Sequence, residues 1–290
     1  MRGAAFVLVS VLLAAACFRA DAASGIGPQY ETTHVYVPPE EFDRFVTSFL
    51  ATFGGAASQK GSVTVTPTPS STFSQLVRTP VGTLSVFGYE TPIPYPFGAE
   101  RTGYLVSDLN AAIKSARACG ADVVVAPFSD AIGRDAVIAW PGSVMMQLYW
   151  HNVVPNYAAL QTEPENRVYV SPDSADTFIH DFTAFAAGKV LDDDRRAPGI
   201  EIGRPGETYR RVRIQSGFGK MTVLVTDGRL PYPYGRELTG YEVANLDVTL
   251  AKAEAAGAIT FVEPYAEGGR RAAVVRFPGG YIAEIHAKAR

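Results

Sequence analysis

Side chains able to do acid–base or metal chemistry are sparse in this chain. Its histidines are His34, His151, His180 and His286. Glu284 and His286 stand two apart in a stretch that reads as a strand, so they share one face. Gln147 and Tyr149 alternate with Met145 in the same way, and Arg134 and Asp135 precede the neighbouring strand. Gln147, Tyr149, Arg134 and Asp135 together outline a polar and aromatic surface suited to a small polar organic molecule. A divalent ion asks for more: about three or four oxygen or nitrogen ligands converging at ~2 Å, with a position open to substrate. A lone histidine on a strand, such as His34, can be a hydrogen-bonded structural residue or a ligand. His151 ends a strand and reads as a surface residue, and His180 reads as a solvated helix residue. No Ser-His-Asp set, phosphate loop, CxxC pair or nucleotide fingerprint is present.

The elements that position these residues occur twice. Pro94-Tyr95-Pro96-Phe97-Gly98 through Glu100-Arg101-Thr102-Gly103-Tyr104 returns as Pro231-Tyr232-Pro233-Tyr234-Gly235 through Glu237-Leu238-Thr239-Gly240-Tyr241, an offset of 137 residues. The same offset relates Gly120 to Gly257, Arg134 to Arg271 and Pro141-Gly142 to Pro278-Gly279. An ungapped register across a helix and several strands means two copies of one α+β unit. The Pro-Tyr-Pro-aromatic-Gly loop has two readings: a scaffold turn, or a lip presenting Tyr95 or Tyr232 to a ligand.

Each copy reads strand, helix, several strands, then strand, helix, three strands. In the first, a strand over 33–37 precedes a helix whose Phe42, Phe45, Val46, Phe49 and Leu50 recur at spacings of three and four. Strands follow near 63–66, 73–78, 83–89 and 103–106. A helix capped at Ser107-Asp108 runs to Gly120, and strands near 123–126, 136–140 and 144–150 close the half. The second copy predicts strands near 167–170, 209–214, 221–226, 240–243, 259–262, 272–277 and 281–286, with helices near 173–187 and 247–257.

Composition is that of an ordinary globular protein of about two domains, 47% hydrophobic and 19% charged. A net charge of −3 without a long basic run gives no reason to expect nucleic acid as a partner. Residues 1–22 combine Arg2, an apolar run and Ala20-Asp21-Ala22, the pattern of a secretory signal peptide. The expectation is export, periplasmic or secreted, with lipid anchoring at Cys17 as the alternative. No later run is apolar enough to span a bilayer. If Cys17 leaves with the signal, Cys119 is expected as a lone thiol in a small buried position.

Three stretches carry a family resemblance: His34-Val35-Tyr36-Val37 with its Phe-rich helix, Gly103-Tyr104-Leu105-Val106-Ser107-Asp108-Leu109-Asn110, and Phe277-Pro278-Gly279-Gly280-Tyr281-Ile282-Ala283-Glu284-Ile285. They resemble the vicinal oxygen chelate superfamily, which includes glyoxalases, extradiol dioxygenases and bleomycin-resistance proteins. The resemblance implies an α+β fold of two tandem domains, 33–151 and 166–288, joined by a linker over 152–165. Each domain would be a cupped barrel of two βαβββ modules.

Metal-using members place His, Gln or Glu on the first and last strands of each module, facing into the cup. By this resemblance His34 and Gln147 occupy such positions in the first domain, and Arg167 and Glu284 in the second, with Arg101 or a neighbour on the strand opening the second module. Only His34, Gln147 and Glu284 have metal-compatible chemistry, and an arginine repels a cation. An Arg167–Glu284 ion pair is therefore expected in place of a metal. The sequence reading is an exported, metal-free module that binds a small polar molecule in the first cup. The binding candidates are His34, Arg101, Gln147, Tyr149 and Tyr95, with Arg167 and Glu284 in the second cup. The alternatives are a metal-dependent lyase, isomerase or dioxygenase using a divalent ion, and a structural or interaction protein whose cups are filled by side chains.

Overall fold

The computed structural model describes residues 31–236 and 238–289. Residues 1–22, expected above to be a signal peptide, and with them Cys17, lie outside the described residues. The first copy contains β1 (Glu31–Tyr36), α1 (Phe42–Phe53), β2 (Ala56–Ala57), β3 (Gly61–Val63), β4 (Thr72–Thr79), β5 (Gly82–Tyr89), β6 (Thr102–Leu105), α2 (Leu109–Ala118), β7 (Asp122–Ser129), β8 (Gly133–Trp140) and β9 (Val144–His151). The second contains β10 (Glu165–Val170), α3 (Pro172–Phe185), β11 (Lys189–Pro198), β12 (Thr208–Ser216), β13 (Gly219–Val225), β14 (Leu238–Glu242), α4 (Leu246–Ala255), β15 (Ile259–Glu267), β16 (Arg270–Arg276) and β17 (Ile282–Lys288).

Each copy forms its own mixed sheet. The first runs β2-β4-β5-β1-β6-β9-β8-β7, with β3 paired to β4, and the second runs β11-β12-β13-β10-β14-β17-β16-β15. Within each, two modules meet at one short antiparallel seam, β1 with β6 and β10 with β14. The first sheet curls: Ser74 on β4 and Asp135 on β8 line one cavity although β5, β1, β6 and β9 separate their strands.

Local chemistry repeats with the fold. Asp108 accepts from the Ala111 N–H at 3.0 Å to cap α2, and Asn245 caps α4 through the Val248 N–H at 3.2 Å. Gly120 and Gly257 end these helices with φ of 90° and 88°, where a side chain would be strained. The strand β11 is absent from the sequence reading. Its Asp192-Asp193-Asp194-Arg195-Arg196 run lacks apolar alternation because it is an edge strand, paired only to β12 and interrupted by register shifts.

The helices lie between the sheets, and each half of the hydrophobic core draws on both copies. Leu109, Ile113 and Ala116 of α2 share one cluster with Phe178, Phe182 and Phe185 of α3. Phe42, Phe45 and Phe49 of α1 share the other with Leu246 and Leu250 of α4. Phe49 meets the Tyr241 ring at 5.6 Å, and Trp140 meets Phe185 at 5.2 Å. At the seam between copies, buried Asn166 accepts from Thr102 at 2.8 Å and donates to the Tyr104 hydroxyl at 2.9 Å. The sheets are therefore separate but the core is joint.

Cys119 is buried at the C-terminal cap of α2, as its small size suggested. Cys119 is disulfide-bonded in this chain, whereas the expectation of a lone thiol concerns a chain from which Cys17 has been removed. Among the described residues no helix is long and apolar enough to cross a membrane.

Candidate functional site

The inner faces of the two sheets have the same plan and different contents. In the first, alternation along β1 turns Thr32, His34 and Tyr36 inward, and alternation along β9 turns Gln147, Tyr149 and His151 inward. With Ser85 and Phe87 of β5 and Asp135 of β8, they line a cavity of about 180 Å³. An engineered apolar cavity of about 150 Å³ holds benzene, so this volume suits a molecule built on one ring.

His34 sits at the centre of this cup. Its N–H donates to the Arg101 carbonyl at 2.8 Å, and its ring stands edge-on to Phe87 at 5.4 Å. Its Nε2 leans over Gly103, where a Cβ would lie only 2.6 Å away. Gly103 in turn pairs in register with Gln147. The close approach of imidazole and backbone requires glycine there.

Behind His34 lies a fully buried carboxylate, Glu100. The Tyr36 hydroxyl donates to its Oε1, and His34 Nδ1 is 3.6 Å from the same oxygen. Burial first, and then the Glu100 charge, push the Tyr36 and Tyr89 hydroxyls well above the usual phenol range. Nδ1 of His34, Oη of Tyr89 and Oε2 of Glu100 are buried and make no hydrogen bond. Such orphaned atoms cost free energy unless a ligand or water meets them.

Asp135 is the other acid of the cup. Burial, then repulsion from Asp130, raise its carboxyl to about 7, opposed by a hydrogen bond with Gln147. His151 is lowered by burial, with Asp130 pulling the other way. His151, expected at the surface, instead lines the cavity because β9 continues one residue further and turns it inward.

The remaining candidates of this half lie elsewhere. Arg101 is not among the cavity-lining residues, and its guanidinium stacks over the Tyr36 ring at 5.4 Å. Tyr95 is 82% exposed, while Phe97, two residues on, is buried and lines the cup. The Pro-Tyr-Pro loop thus contributes its second aromatic residue, Phe97, and not its first, Tyr95. Glu100 was absent from the sequence candidates, although the repeated Glu-x-Thr-Gly-Tyr pattern marks its place.

The second cup is closed at the equivalent place. Arg167 Nη1 lies 3.1 Å from Glu284 Oε1, and both side chains are almost wholly buried. His286 Nδ1 is 2.7 Å from Glu284 Oε2. Further along the same face Arg270 donates to Glu165 at 2.9 Å, and Thr222 to its other oxygen at 2.5 Å. Burial opposes ionisation of Glu284, but His286 and Arg167 outweigh it and hold the carboxyl below its usual range. Gly240 matches Gly103: a Cβ there would lie 2.7 Å from Glu284 Oε2. A groove of about 440 Å³ borders Glu165, Arg270 and His286 but does not reach Arg167 or Glu284. His180 is exposed and pairs with Asp181.

Neither donor set fits a metal ion. In the first cup the strand beside His34 and Gln147 offers Gly103, which has no side chain to ligate. In the second a guanidinium stands beside Glu284, the carboxylate at the final-strand position. Among the described residues no three of His, Cys, Asp and Glu converge as a metal site would require.

This architecture recurs in solved structures. A mutant of 4-hydroxymandelate synthase from Streptomyces coelicolor superposes with a TM-score of 0.60 at 13% identity, over 92% of this chain and 94% of that one. 2,2',3-Trihydroxybiphenyl 1,2-dioxygenase from Sphingomonas wittichii gives 0.54 at 13% identity, over 92% and 91% of the two chains. The Mn(II)-bound glyoxalase from Novosphingobium aromaticivorans gives 0.53 at 14%, over 92% and 84%. No family model and no curated protein matches the sequence. The chain has the tandem vicinal oxygen chelate fold shared by glyoxalases and extradiol dioxygenases.

Proposed function

We propose that this protein is an exported, metal-free binding module of the vicinal oxygen chelate fold, holding a small polar molecule in the cup of its first domain, 33–151. The observation that carries the reading is the contrast between the cups. One leaves a cavity of about 180 Å³ bordered by His34 and Gln147. In the other, Arg167 is ion-paired with Glu284, His286 stands against the same carboxylate, and the neighbouring groove does not reach Arg167 or Glu284. His34, Gln147 and Tyr149 supply polar contacts in the first cup, and Tyr36, Phe87 and Phe97 supply rigid apolar walls. The second domain, 166–288, supports the first through the joint core.

The test is thermal unfolding of the mature protein with millimolar single-ring phenols, amines and acids, beside elemental analysis. A ligand that binds only the native state raises the melting temperature by mass action. The shift should vanish in Ser85→Trp, which fills the cup, and should survive chelation. No shift with any compound, or one tightly held metal ion per chain that is lost in His34→Ala, would overturn the reading.

A further inference from the structure

The walls of the first cup carry one sign of charge. Asp130 and Asp135 line it, Glu100 is buried behind His34, and no lysine or arginine is among the lining residues. The rest of the wall is rich in aromatic faces: Tyr36, Phe87, Tyr89, Phe97, Tyr149 and Tyr157. Two of these rings already hold a cation, Arg101 over Tyr36 at 5.4 Å and Arg78 over Tyr157 at 5.4 Å.

We propose that the first cup selects an organic cation, a protonated amine carried on a single ring. This rests on the binding reading above and names its ligand class. An ammonium group has donors only, and the wall offers acceptors for them: the carboxylates of Asp135 and Asp130 and the amide oxygen of Gln147. Aromatic faces attract the same charge through their quadrupoles. Two carboxylates in a site with little water disfavour an anion of equal size by direct repulsion. The ring body of the ligand would fill the volume between Phe87 and Phe97.

Three near-isosteric probes separate charge from shape: benzylammonium, benzyl alcohol and benzoate, each titrated calorimetrically into the mature protein at pH 8. Benzylammonium should bind at least about tenfold more tightly than benzyl alcohol, the scale of one charge-assisted hydrogen bond, and benzoate should not bind. Asp135→Asn should remove about tenfold from the cation and leave benzyl alcohol within about twofold. Equal affinity for the cation and the alcohol, or tighter binding of benzoate, overturns the charge assignment while leaving the cup a binding site. Failure of all three to bind overturns both. The order among the probes on the unaltered protein decides the matter even if the variant does not fold.

Discussion

Gln147 and Glu284 hold the same place in two sheets, each paired in register with a glycine, Gly103 and Gly240. Gln147 faces an open cavity, whereas Glu284 is locked between Arg167 and His286. His34 stands where the second copy has Arg167, and Gln147 where it has Glu284, so the equivalent place holds a cavity wall in one copy and a buried ion pair in the other.

The two glycines should be irreplaceable in different ways. Gly103→Ala puts a Cβ 2.6 Å from His34 Nε2 and 3.1 Å from the Tyr149 ring, so the buried imidazole must move. We expect a loss of about 1–3 kcal/mol by chemical denaturation, with ligand-induced stabilisation abolished. Gly240→Ala should cost a similar amount by displacing Glu284, while leaving binding in the first cup intact.

Arg167 and Glu284 should be strongly coupled. Removing one partner strands the other in the interior, at roughly 3–5 kcal/mol. Arg167→Leu should therefore be more destabilising than the combination of Arg167→Leu with Glu284→Gln. Additive effects in a double-mutant cycle would show that the 3.1 Å contact carries no interaction energy.

Acid should weaken the second cup. Glu284 is held below its usual pKa, so its contribution to stability is present above the unfolded carboxylate value and is lost as pH falls through the lower folded value. Denaturation midpoints should drop below about pH 4. Glu284→Gln should flatten that acid limb, and an unchanged limb would remove Glu284 as its source.

Asp135 slopes the other way. Its carboxyl rises from 3.8 to about 7, so the native state keeps a proton that the unfolded chain gives up between these values. Stability should fall with rising pH across that window, by up to about 4 kcal/mol. Asp135→Asn should abolish this fall and be the more stable protein at pH 8. Asp130, His151, Gln147 and Tyr149 share the same wall, and burial lowers His151, which loses stability on acidification instead. The informative quantity is therefore the difference between the wild type and Asp135→Asn. Parallel profiles would show that Asp135 does not titrate near neutrality.

Export should be visible in the cysteines. Cleavage after Ala22 removes Cys17, so protein recovered outside the cytoplasm should begin at Ala23, with Cys119 titrating as a single thiol. A bridged Cys119 in a chain retaining residues 1–22, or a lipid mass on Cys17, would show another fate for the segment.

The repeat offset of 137 residues, the 3.6-residue spacing of Phe42, Phe45, Val46 and Phe49, and the cap at Asp108 were legible in the sequence because they are local. Each depends on neighbours within a turn or on self-comparison. The opposition of Arg167 and Glu284 was legible too, through the inward strand positions that the family resemblance implies and their opposite charge. What sequence could not decide was depth and company. Glu100 stood out in no candidate pattern and Asp135 only as a polar residue preceding a strand, and the curl of the sheet buries the first behind His34 and places the second across from β4. Phe97 rather than Tyr95 enters the cup because the loop turns at Gly98 with φ of 88°, a geometry no periodicity reports. The joint core is likewise a tertiary outcome. The apolar faces of α1 and α3 announce that each helix must be buried, but not against which sheet or copy. That choice belongs to side-chain packing between segments far apart in the chain, as where Phe49 meets Tyr241.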